Sequence, residues 1–196
     1  MKLSETLRQL LDDHLDQPLV LGTLLQQTGE QGFGIILGLL TLPMVIPLPV
    51  PLAGFSTLMG AGVALMGLQL ITGAKQPYLP KWLARKALPS KVTRVLLKNL
   101  NRVLRPIERL AKRRLVSISL HPAHRRFVGF CLIWDAFLMG LPLPIPLTNI
   151  IPGYAILVMA IGLLEADGAL ILLGYGLTGL TTAFFISIAG AIWELL

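Results

Sequence analysis

The sequence predicts an all-α integral membrane protein built from two internally repeated, proline-broken helical hairpins, a C-terminal transmembrane helix and a cytoplasmic basic amphipathic segment. Three observations carry this. The 196-residue chain is 54% hydrophobic and only 14% charged, against about 25% charged in a typical soluble domain. Its apolar stretches are nearly free of charge: 31–74 and 168–193 hold no Asp, Glu, Lys or Arg, and 127–164 holds only Asp135. Its basic residues are concentrated elsewhere, between the apolar blocks. Mean hydropathy is +0.73, and about 20 apolar residues of helix cross a bilayer.

The N-terminal arm, 1–29, is amphipathic. Leu7, Leu10, Leu11 and Leu15 recur at helical spacing with Glu5, Asp12, Asp13 and Asp16 around them, and Pro18 is expected to open a second short helix ending near Gly29. The arm lacks the basic start and following apolar core of a signal peptide. The first apolar run is therefore expected to act as the insertion signal.

The first membrane repeat spans 30–74 and the second 127–168. "PLPVPL" at 47–52 lies on "PLPIPL" at 142–147 when the chain is slid by 95 residues. The register continues without a gap, placing Val63 on Val158, Gly67 on Gly162, Leu68 on Leu163 and Gly73 on Gly168, with Gly34 on Gly129 upstream. Five identities within six residues, with prolines at alternating positions, identify an internal repeat. Each repeat reads as a short apolar helix (33–46, 127–141), an extended PxPxP run, and a second helix (52–72, 148–166). About 15 residues give roughly 22 Å of helix, short of a hydrocarbon core of about 30 Å. Two geometries fit. The short helix dips part way and turns within the bilayer, or the prolines cap an ordinary hairpin at the far surface. Non-helical backbone at membrane depth must be sheltered by protein or line a watery cavity, and paired broken helices at matching places point to a transport site. The short pre-proline segments favour re-entrance. Pro47, Pro49, Pro51, Pro142, Pro144 and Pro146, with Asn149 beside them, are thus candidate pore-lining residues. Thr148 and Asn149 also suit a helix N-cap.

Between the repeats, 75–126 holds fifteen of the seventeen Lys and Arg residues and one acid, Glu108. Flanked by membrane segments, it is expected to be cytoplasmic or interfacial. After Ser90, apolar residues at Val92, Leu96, Leu100, Val103, Ile107 and Leu110 form one stripe, with Lys91, Arg94, Lys98, Arg102, Arg105 and Arg109 on the other faces. That pattern suits a helix lying on an anionic membrane surface. A partner-binding helix would carry the same stripe. The final segment, 169–196, contains the transmembrane helix, expected at 169–193.

Asp135 stands alone in "FCLIWDAFLMG". A carboxylate at membrane depth costs several kcal/mol unless protonated, paired or wetted, so it is the candidate ionisable element; Leu40 holds its place in the first repeat. Glu30, Glu165 and Asp167 read as interface anchors. Cys131, the single cysteine, reads as a buried inert thiol. His121 and His124 in "HPAH" have no neighbouring Cys or paired acids, so no metal site is expected. Nor does any nucleophile–base pair or phosphate loop occur. The chain is therefore expected not to be an enzyme and to need no cofactor.

Gly29-Glu30 with Gly32, the two PxPxP runs, "YLPKWL" at 78–83, and Gly162-Leu163-Leu164-Glu165 with Asp167-Gly168 give the chain a further likeness. From 19 to 196 it resembles the ExoD family of bacterial inner-membrane proteins associated with exopolysaccharide synthesis. The resemblance implies a multi-pass protein of the bacterial cytoplasmic membrane and assigns no reaction and no catalytic residues. The expected function is transporter-like permeation in exopolysaccharide synthesis or export. The alternative is a non-catalytic assembly or regulatory subunit of a polysaccharide-synthesis complex, docking through 75–126. The expected partners are anionic lipids of the cytoplasmic face, polysaccharide-synthesis proteins and a second copy of the chain; nucleic acid is not among them.

Overall fold

Proline, glycine and the near-absence of charge decide where the helices begin and end. The computed structural model describes residues 19–20, 32–45, 55–78, 87–88, 109, 111–112, 114–141 and 150–194. Among these, six helices form: α1 (Gly32–Val45), α2 (Phe55–Ile71), α3 (Val116–Leu120), α4 (Pro122–Gly140), α5 (Ile150–Glu165) and α6 (Gly168–Glu194). A two-residue antiparallel pairing joins β1 (Leu19–Val20) to β2 (Ala87–Leu88), with Leu19 opposite Leu88. The architecture is otherwise all-helical. The pairing replaces helix at the start of the stretch expected after Pro18, and it ties the N-terminal arm to the basic segment.

The helix contacts fix their directions. Gly34 near the start of α1 lies against Ala160 and Leu164 near the end of α5, while Gly153 near the start of α5 lies against Val45. These two helices are antiparallel. So are α2 and α4, where Gly60 meets Ala136 and Gly67 meets Gly129. α5 and α6 form a hairpin, with Gly162 against Ile171 and Gly174 against Met159. α4 and α6 run parallel, tied at His124–Tyr175 and again at Trp134–Thr182. Hence α1, α4 and α6 point one way, and α2 and α5 the other. The most extensive packing joins α2 to α4 and α1 to α5, so each pre-proline helix packs mainly on the post-proline helix of the other half.

All fourteen residues of α1 are buried. A helix apolar on every face belongs inside a protein or a membrane. Here Phe33, Ile36, Leu37, Leu40 and Leu42 sit in one core with Val63 and Met66 of α2, Leu132 of α4, and Ile156 and Met159 of α5. Thr41 satisfies its hydroxyl by donating to the Leu37 carbonyl at 2.7 Å. α6 is the opposite case. Its 24-residue stretch Gly168–Ala191 is long and apolar enough to cross a bilayer, and only 28% of an 18-residue window of it is buried. It begins one residue before the expected helix.

Three expectations change. The second pre-proline helix is not short: α4 has 19 residues, about 28 Å. It gains its extra turn because His121 acts as N-cap, its Nδ1 accepting from the Ala123 amide at 3.2 Å, with Pro122 at the first helical position. Residues 122–126 thus belong to this helix. Second, Asp167 is 1% exposed and is no interface anchor. Its Oδ1 accepts from the Ala169 amide at 2.9 Å, capping α6, and its Oδ2 accepts from the Lys112 amide at 2.7 Å. Third, the ungapped register fails after the prolines. Gly73, at φ +80°, ends α2 in a left-handed turn where the Ala74 amide donates to Gln69 and the Gly73 amide to Leu70. Gly168 opens α6 instead. The left-handed turn after α5 is made by Ala166, at φ 52°, with the Asp167 amide donating to Gly162.

Candidate functional site

The α4–α6 seam concentrates the polar groups of the apolar bundle. Threonines at 178 and 182 lie one turn apart on one face of α6, opposite Cys131, Trp134 and Asp135 of α4. Asp135 is fully buried, at 0% exposed. The Thr178 hydroxyl donates to its Oδ2 at 2.7 Å and also lies 3.1 Å from the Gly174 carbonyl. That hydroxyl carries one proton. One proton facing two acceptors makes a three-centre hydrogen bond. The other carboxyl oxygen, Oδ1, is buried with no hydrogen-bond partner among the described residues. Leaving a buried polar atom unsatisfied costs about 1–3 kcal/mol, so Asp135 is held in place by packing against that cost.

Hydroxyls complete the seam. Trp134 Nε1 donates to Thr182 Oγ1 at 2.8 Å, and the Thr182 hydroxyl donates to the Thr178 carbonyl at 2.8 Å. Thr181 bonds back to Leu177. Nearer the start of α4, Tyr175 donates to the His124 carbonyl at 3.2 Å, and its ring meets Phe127 edge-on at 4.8 Å. Cys131 and Thr178 form part of the wall of an apolar crevice of about 510 Å³ that opens on the outer face of α4. Asp135 lies behind that wall, one turn from Cys131.

Of the residues expected to form a site, Asp135 is where isolation in an apolar run would put it, buried in the bundle. Leu40, its counterpart in the first repeat, is also buried, in α1. Pro47, Pro49, Pro51, Pro142, Pro144, Pro146, Thr148 and Asn149 lie outside the described residues, as do Lys91, Arg94, Lys98, Arg102 and Arg105. Arg109 is described and exposed. Thr178, Thr182 and Trp134 were not singled out by the sequence. A threonine at helical spacing in an apolar segment is the one signal they give, and it does not name its partner. Among the described residues no three His, Cys, Asp or Glu side chains cluster as metal ligands.

The comparisons with known proteins match this chain along most of its length. The family model described as exopolysaccharide synthesis, ExoD, matches residues 3–187. The chain belongs to the ExoD family. Protein ExoD of Rhizobium meliloti is 32% identical over 184 residues, covering 93% of this chain and 75% of that protein. An uncharacterised protein of Synechocystis is 30% identical over 140 residues, covering 71% of this chain and 64% of the relative. No solved structure matches. The ExoD family is described by exopolysaccharide synthesis, and α6 of this chain supplies one helix of membrane-crossing length and composition.

Proposed function

We propose that this ExoD-family chain is a multi-pass protein of the bacterial inner membrane that lets a small solute or proton cross during exopolysaccharide synthesis or export, with Asp135 as its ionisable element. The observation that carries the reading is the full burial of Asp135 with one carboxyl oxygen bonded to Thr178 and the other unpartnered among the described residues. An ionisable side chain inside a membrane bundle is a functional element by default.

The packing supports an internal repeat. Gly34 of α1 meets residues 160 and 164 of α5, and Gly129 of α4 meets residues 67 and 71 of α2. Gly34 and Gly129 are 95 apart, whereas 67 and 160, 71 and 164, and the left-handed turns at 73 and 166 are each 93 apart. Two residues are therefore lost within the second repeat, after its proline run. Both halves run in the same direction, so the repeats are parallel, related by an axis along the helices. α1 has 14 residues, about 21 Å, short of a hydrocarbon core of about 30 Å, which supports a helix that dips part way and turns.

Reconstitution into vesicles that hold a pH-sensitive dye tests the reading. An acid-driven change in lumenal pH should appear with wild-type protein, vanish with Asp135→Asn and persist in part with Asp135→Glu. Unchanged flux in Asp135→Asn would remove Asp135 from the account. A second reading, a non-catalytic assembly subunit, is favoured by the crevices of α4 and α6 being open at the surface. It predicts capture of a polysaccharide-synthesis protein that is lost when Lys91, Arg94, Lys98, Arg102, Arg105 and Arg109 are reversed in charge.

A further inference from the structure

The outer face of α4 has a feature that the reading above leaves unused. Phe127, Phe130, Trp134 and Phe137 follow steps of three and four and so form one stripe. They are 52%, 58%, 43% and 57% exposed. Four large aromatics left open on one helix face need an apolar covering. Two crevices meet at Trp134. One, of about 510 Å³, runs beside Phe130, Trp134 and Phe137 down to Thr178. The other, of about 340 Å³, continues past Trp134 along Leu138, Leu141, Phe185 and Ile186. Together they make a groove along the α4–α6 seam from Phe130 to Leu141, about 16 Å of helix rise.

The groove has a charged end. Arg126 is exposed and sits one turn before Phe130 on the same side of α4, where residues four apart are neighbours. Arg125 adjoins it. Among the described residues, the far end of the groove, around Leu141, Phe185 and Ile186, has no charged lining residue. A basic residue at one end of an apolar trough complements an amphiphile with an anionic head and a hydrocarbon tail. An apolar helix from a partner would fill the trough and leave Arg126 unanswered.

We propose that the α4–α6 groove binds one acyl chain of an anionic glycerophospholipid whose phosphate pairs with Arg126. The site rests on the membrane reading above. It adds a specific lipid position that covers the wall in front of Asp135, since Cys131 and Thr178 form that wall.

Trp134 is the reporter. The other two tryptophans, Trp82 and Trp193, are replaced by phenylalanine, and the protein is reconstituted in vesicles doped with phosphatidylglycerol or phosphatidylcholine carrying brominated acyl chains. Brominated phosphatidylglycerol should reach half-quenching of Trp134 at about a fivefold lower mole fraction than brominated phosphatidylcholine, the effect of roughly one basic residue at an anionic surface. Arg126→Gln should erase that preference, while Lys75→Gln should keep it. Equal quenching by both lipids, or a preference that survives Arg126→Gln, overturns the site while leaving the chain in the membrane. No quenching by either lipid overturns the site and the membrane reading together.

Discussion

Gly67 and Gly129 face each other across α2 and α4 so closely that a Cβ on Gly67 would lie 2.6 Å from the Gly129 carbonyl oxygen, and one on Gly129 would lie 2.5 Å from the Gly67 carbonyl oxygen. Each glycine is therefore the reason the other helix comes so near. Close backbone approach through small residues is a main source of helix association in lipid, where apolar side chains gain little by leaving the tails. Gly34 makes the same approach to α5, with a Cβ there lying 2.6 Å from the Ala160 carbonyl oxygen.

Gly67→Ala, Gly129→Ala and Gly34→Ala should each destabilise the protein by about 1–3 kcal/mol, the usual cost of overpacking against backbone. Gly176, Gly179 and Gly190 on the open face of α6 meet nothing within 4 Å. Alanine at those three should be neutral or stabilising by up to about 1 kcal/mol. Thermal unfolding in detergent separates the two groups; a loss at Gly179→Ala equal to that at Gly129→Ala would refute the close-approach account.

Thr178→Val keeps the volume of the side chain and removes the donor to Asp135. With both carboxyl oxygens then lacking a partner among the described residues, stability should fall by about 1–3 kcal/mol. Thr178→Ser should restore most of it. In the Asp135→Leu background the Thr178→Val cost should shrink, because no buried carboxyl remains. Additive losses in this double-mutant cycle would mean the two side chains do not act together.

Asp167→Ala removes two bonds at once, the cap on α6 and the tie to the Lys112 amide. The cap alone is worth about 0.5–2 kcal/mol, and the tie is lost with it. Asp167→Asn keeps an acceptor oxygen for one of the two amides and should lose less. Proteolysis at the junction near Lys112 and Arg114 reads the second effect, since cleavage there should quicken in Asp167→Ala before global unfolding changes.

Ala166→Gly should raise stability by about 1 kcal/mol, because a left-handed conformation strains a residue with a Cβ. Gly73→Ala should lower it by a similar amount, since Gly73 holds the same kind of turn at φ +80° with open space around it. Denaturation midpoints of the two single variants should move in opposite directions.

The apolar blocks, the lone acid and the prolines were enough to predict an all-helical chain and the long final helix, because helix formation in apolar segments depends on local composition and on where amides are missing. What the sequence did not carry was the sidedness of those helices. α1 and α5 are apolar all round, so periodicity does not say which face meets which neighbour. The pairing of α1 with α5 and of α2 with α4 therefore came from packing alone. So did the close approaches of the small residues, since Gly67 meets Gly129 and Gly34 meets Ala160 on faces that composition does not mark. Asp135 was legible because a charge is rare in such a run. Its partner was not, because Thr178 lies 43 residues away on a helix that only the tertiary structure brings alongside.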